Sequence, residues 1–242
     1  MKNYFLLCLF LFSFFNAQTK DGTDVSNFNM TSFTYKHNSK WSAYIELQTR
    51  SLEDFMKPDY YEIKGGPSYN FNKNNAILVG IGKYGTYQDS DLYQKELRIW
   101  LQYTLSHKWD RLKIDHRFRA EKRFFDYPQD GTKKNDERFR YRLSLTLPLN
   151  SEKIQPGTIF ANAFEEIFLV PNDQEFFKRT RTFGGFGYQV NNSINANLGY
   201  MFQKEFSSLK GNTVYNFVYL ALNFTLDRQK LHDFKAPIPV AD

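Results

Sequence analysis

The chain has 242 residues, of which 41% are hydrophobic, 24% charged and 18% aromatic, with a formal net charge of +6 and a single cysteine. One cysteine excludes a disulfide framework and a cysteine-rich zinc site, and a mean hydropathy of −0.59 argues against a bundle of membrane helices. The 25 Phe and 16 Tyr exclude an intrinsically disordered chain, which would be poor in aromatics.

In chain order, Lys2 precedes an apolar run from Tyr4 to Phe15, and Asn16-Ala17-Gln18 supplies a small residue where a signal peptidase cuts. The run is too short to cross a bilayer as a helix. Residues 1–17 therefore read as a Sec signal peptide. Cys8 lies inside this run and not at its exit, so it is no lipoprotein anchor.

From Phe28 onward the hydropathy has period two, the mark of strands whose faces meet different surroundings. Strands are expected near 26–36, 41–50, 59–71, 76–86, 92–105, 109–125, 136–149, 157–170, 176–189, 194–205 and 213–226. Polar turns at 37–40, 72–75, 106–108, 151–156 and 190–193 alternate with wider breaks, the longest at 126–135. Most segments reach the roughly 9–11 residues that a tilted strand needs to cross hydrocarbon, against about 5–6 in globular domains.

The faces carry distinct chemistry. In 92–105, Gln94, Glu96, Arg98 and Gln102 oppose Leu97, Ile99, Leu101 and Leu105, with Tyr93 and Tyr103 at the interface spacing of an aromatic girdle. In 109–125, Lys113, Asp115, Arg117, Arg119, Glu121 and Arg123 share one face, and Leu112, Ile114, His116, Phe118, Ala120 and Phe124 the other. In 136–149, Arg138, Arg140 and Arg142 oppose Phe139, Tyr141, Leu143, Leu145 and Leu147. Arginines in register cannot face a dry core without partners. A lumenal charge network is expected from Glu96, Arg98, Asp115, Arg117, Arg119, Glu121, Arg123, Arg138, Arg140, Arg142, Glu166, Arg179 and Arg181, with Phe, Tyr and Leu turned to lipid.

The expected fold is all-β, an antiparallel up-and-down transmembrane β-barrel spanning residues 18–226, followed by a periplasmic tail at 227–242. Eleven strands are counted where bacterial single-chain barrels have an even number. Ten or twelve are expected, with an extra strand near 18–25, a strand 26–36 outside the wall, or a turn hidden by a bulge. The competing architecture is a periplasmic sandwich, which also alternates polar and apolar residues.

His116-Arg117-Phe118-Arg119-Ala120-Glu121-Lys122-Arg123-Phe124, then Arg138-Phe139-Arg140-Tyr141-Arg142-Leu143, resemble the core signature of domain of unknown function family 2490. The likeness continues through Phe164-Glu165-Glu166-Ile167-Phe168, Arg179-Thr180-Arg181, Gly185-Phe186-Gly187-Tyr188 and Gly199-Tyr200-Met201. The acidic position before Ile167 is met by Glu166. The resemblance implies an outer-membrane barrel of Gram-negative bacteria without implying any chemistry.

No catalytic set, metal site or cofactor is expected. His116 is the one histidine in an expected strand, facing outward with neither a nucleophile nor a group to orient its ring beside it, while His37, His107 and His232 fall in turns or the tail. Gly80-Ile81-Gly82 and Gly184-Gly185-Phe186-Gly187 lie within strands and open no helix, so they cradle no phosphate. Basic residues alternate with apolar ones and form no face for nucleic acid. The expected partners are outer-membrane lipid, lipopolysaccharide and the barrel-assembly machinery. Two functions follow: a non-enzymatic barrel, open narrowly or closed, for small polar or anionic solutes, or an outer-leaflet lipid-modifying or lipid-handling barrel.

Overall fold

The computed structural model describes residues 25–51, 55, 57–209 and 211–228. The expected leader at 1–17 and all but the start of the expected tail lie outside them. The strands are β1 (Val25–Lys36), β2 (Trp41–Arg50), β3 (Tyr60–Asn70), β4 (Asn75–Gln88), β5 (Asp91–Trp109), β6 (Leu112–Tyr127), β7 (Thr132–Pro148), β8 (Ile159–Leu169), β9 (Phe177–Gln189), β10 (Ile194–Glu205) and β11 (Thr213–Asp227). Each pairs antiparallel with the next, and the sheet closes into a barrel.

Closure corrects the expected ten or twelve strands. The barrel has eleven, because β1 pairs with β11 in parallel, from Val25 opposite Asn216 to Lys36 opposite Asp227. Residues 26–36, which an even count leaves over, sit fully in the wall. Parallel ladders need only slanted, evenly spaced hydrogen bonds, so no extra strand before Val25 and no hidden turn is required.

Turns at 37–40, 71–74, 110–111, 149–158 and 190–193 form one end of the barrel, the turn face; the described residues between β2 and β3 and between β10 and β11, with 89–90, 128–131 and 170–176, form the other, the loop face. The turn expected at 106–108 is absent, since β5 runs on to Trp109 and reverses at Asp110-Arg111, where Asp110 has φ +54°. The wide break expected at 126–135 contracts to 128–131. Asp89 and Ser90, with φ of 51° and 74°, form the tight left-handed reversal that suits a two-residue hairpin.

The alternation sorts side chains as a barrel wall demands. On β5, Glu96, Arg98 and Trp100 are buried while Leu97, Ile99 and Leu101 are exposed on the outer surface. The Trp100 ring lies against Gly80 directly across the ladder, where a Cβ would fall inside the ring; Phe160 covers Gly187 likewise. These glycines let large rings lie flat on the inner wall.

The expected segregation of aromatics to the outside is also corrected. Phe28, Phe164, Phe183, Met201 and Phe217 form a buried cluster inside the barrel, with Tyr215 and Tyr219 packed on it. The interior is thus mixed: an aromatic cluster on β1 and β8–β11 lies beside buried charges carried by β2, β3 and β5–β9. Eleven strands enclose a lumen that such side chains fill in large part.

Candidate functional site: the charged lumen

Two glutamates organise the interior. Glu121 accepts from Arg138 Nε at 2.7 Å and from Arg140 Nη1 at 2.9 Å, with Arg119 at 3.5 Å and Arg98 at 3.8 Å. Glu166, 0% exposed, accepts from Arg117 Nη2 at 2.5 Å, Arg140 Nε at 2.9 Å and Arg142 Nη2 at 2.6 Å. Arg140 therefore ties the two carboxylates together. The register explains the need for them: Arg117 stands directly opposite Arg142, and Arg119 opposite Arg140. Like charges facing across a ladder repel, and the two carboxylates offset that repulsion.

Most of the other residues expected in the network lie around this centre. Glu96 accepts from Arg98 Nε and Arg123 Nε, each at 2.8 Å, and Arg123 also meets Asp136 at 3.2 Å. Arg179 pairs with Glu205 at 2.5 Å. Arg181 donates Nε to the neutral Gln203 Oε1 at 2.7 Å. Asp115 is not brought into the network; it pairs with Lys113 at 2.8 Å and with the Ser106 hydroxyl, towards the turn face.

Several participants escape the sequence pattern. Arg50 reaches Glu62 at 3.3 Å, and Lys64 bridges Glu62 to Glu46. Their signal was faint because each carboxylate and its cation lie on different strands or two residues apart, with the Gly65-Gly66-Pro67 break beside them. Gln102, which alternation already places on the polar face of β5, accepts from Arg119 Nη2 through Oε1 at 2.6 Å. Phe168, 1% exposed, is the apolar pivot: Arg138, Arg140, Arg179 and Arg181 sit 5.2, 4.5, 5.5 and 5.1 Å from its ring centre. Cation–π attraction holds the guanidiniums against it.

Glu121, Arg140, Glu166 and Phe168 lie between two cavities. The one towards the turn face has a volume of about 350 Å³ and mixes Lys64, Arg117, Arg119 and Arg142 with Tyr44, Trp100 and Tyr219. The one towards the loop face has a volume of about 290 Å³, and its lining holds six arginines against two glutamates. On the charged side of the turn-face cavity, Arg117 Nε and Arg142 Nε are buried without an acceptor. Outside the lining of that cavity, Ser32, Asn223, Asn195, Asn197 and Asn162 form a hydrogen-bonded chain.

Outside the barrel, the expectation that nothing beside His116 could orient its ring is corrected. His116 Nδ1 lies 2.8 Å from the Tyr141 hydroxyl, and its ring stacks on His107 at 5.3 Å, which belongs to β5 and not to a turn. Neither neighbour is a serine-type nucleophile. His37 contacts Arg228 at 3.1 Å, and His232 lies outside the described residues. Glu165 faces outward and accepts from the Thr182 hydroxyl at 2.5 Å.

A solved structure of the NanC porin in a rhombohedral crystal form is similar, with a TM-score of 0.48, 12% identity, and coverage of 81% of this chain and 91% of that one. No curated protein matches the chain. The family model described as protein of unknown function (DUF2490) matches residues 26–214. With most of its length matched in this way, the chain belongs to that family.

Proposed function

We propose that the chain is a non-enzymatic integral outer-membrane barrel whose arginine-rich lumen forms a narrow or closed channel for small polar or anionic solutes. The observation that carries the reading is the pairing of two opposite surfaces on one wall. Outside, Ile45, Leu47, Ile63, Val79, Ile81, Ile99, Leu101, Leu220 and Leu222 are exposed. A water-soluble monomer rarely leaves a continuous apolar belt of this kind bare. Trp41, Tyr69 and Tyr103 lie towards the turn face and Tyr61, Tyr87 and Tyr93 towards the loop face, the positions that interfacial aromatics take on a membrane barrel. Inside, the arginine excess favours anions, while the layer through Arg140 and Phe168 obstructs general diffusion. Sec export, signal-peptide cleavage, assembly by the barrel-assembly machinery and contact with lipopolysaccharide belong to the same reading.

The test is conductance in planar bilayers with salts of chloride and of organic anions. Small anion-selective currents are the result expected of a narrow channel; a silent bilayer from protein that migrates as a compact, heat-modifiable band would refute an open channel. The alternative, lipid modification at the outer leaflet, rests on the outward His116 held by Tyr141. It requires lipid release that His116→Ala abolishes.

A further inference from the structure

The loop-face cavity carries a charge imbalance that its own residues do not resolve. Of its six arginines, Arg98 and Arg123 share Glu96, and Arg179 has Glu205. Arg138 shares Glu121 with Arg140, and Arg50 shares Glu62 with Lys64. Arg181 has no carboxylate at salt-bridge distance among the described residues. Its Nε bonds Gln203, whose own amide is turned to Glu205 at 2.8 Å. Yet Arg181 is only 6% exposed. Its guanidinium sits between the rings of Phe28 and Phe168, and Arg50 lies against the same Phe28 ring at 4.5 Å.

A buried guanidinium without a counter-charge is unfavourable, and crowding further arginines around one cavity compounds the cost. The cost disappears when an anion occupies the space. Arginine forks match the paired oxygens of carboxylates and phosphates. A volume of about 290 Å³ lies near the lower end of ligand-pocket sizes, which selects a small solute. The cavity lies within the wall and is separated by it from the outer apolar face, which selects a dissolved anion over a lipid headgroup.

We propose that the loop-face cavity is a binding site for a small dissolved oxyanion, carboxylate or phosphate, met by Arg181 together with Arg50 and Arg138. The inference deepens the reading of the lumen given above and requires entry from the loop face, not passage through the barrel.

The experiment titrates the full-length protein in neutral detergent with citrate and with inorganic phosphate, with sodium chloride at matched ionic strength as the control, following heat release and thermal unfolding. Saturable binding and a rise in Tm with citrate, phosphate or both are expected, and chloride reproduces neither. Arg181→Gln should weaken binding about ten- to a hundredfold while melting at or above the parent without anion. Lys122→Gln, which removes one charge from the outer wall, should bind like the parent. Should Arg181→Gln fail to fold, Arg50→Gln must show the same weakening. The absence of saturable binding to either anion, or parent-like binding in the foldable arginine variant, overturns the site. Binding without bilayer current refutes an open channel and leaves the site standing; current without binding does the reverse.

Discussion

Arg140 holds Glu166 with two nitrogens, Nε at 2.9 Å and Nη2 at 2.7 Å from the same Oε1. The two residues are not equivalent. Arg140 is one of three arginines on Glu166, whereas Glu166 is the shared carboxylate of Arg117, Arg140 and Arg142. Removing the acid strands Arg117 and Arg142 and leaves Arg140 with Glu121 alone, whereas removing Arg140 leaves both acids paired. Glu166→Gln should therefore cost about 3–5 kcal/mol and Arg140→Leu about 1–3 kcal/mol, measured by urea titration in lipid vesicles. Equal and negligible costs would mean that water fills the lumen and screens the network.

Leu145 stands on the opposite surface of β7 from the buried arginines. Leu145→Arg should destabilise the barrel by about 2–4 kcal/mol in vesicles if the residue faces the middle of the bilayer. A neutral outcome would place that face in water and contradict the proposed membrane setting.

Trp100 and Gly80 test the packing of the inner wall. A methyl group at Gly80 collides with the Trp100 ring, so Gly80→Ala should cost about 1–3 kcal/mol. Trp100→Leu in the same background should recover part of the loss. A double-mutant cycle showing no coupling would mean that the ring does not rest there.

Glu175 joins two segments of the loop face by accepting from the Ser208 backbone N–H at 2.5 Å. Hydrogen bonds from the Ser208 side chain and backbone hold its carboxyl below the ordinary range. A carboxyl with a depressed folded value contributes stability above its unfolded value, and loses that contribution as pH falls through the folded one. Hydrogen-exchange protection of the Ser208 amide should therefore be constant near neutrality and fall in acid. Glu175→Gln should flatten the profile; an unchanged acid profile in that variant would place the titrating group elsewhere.

Much of the wall was legible because β5–β7 present strongly contrasting residues on their two faces, so that Arg138 and Arg140 could be separated from Phe139 and Tyr141 by alternation alone. On β8 the contrast vanishes: Phe160, Phe164 and Phe168 point inward while Ile159 and Ile167 point outward, and periodicity cannot tell two apolar faces apart. The pairings at Glu62 and Glu121 depend on which strands become neighbours and in what register, information that no single strand carries. The odd strand count was visible as a discrepancy, but the sequence carries no local mark for a parallel seam between its first and last strands.

That seam has a consequence for the chain as a thread. With β1 and β11 running the same way, Val25 stands at the loop face and Asp227 at the turn face. A wall crossed an even number of times returns its chain to the side from which it came. This one is crossed eleven times, so a tag spliced before Val25 and another after Asp227 would be read from opposite sides of whatever the barrel divides.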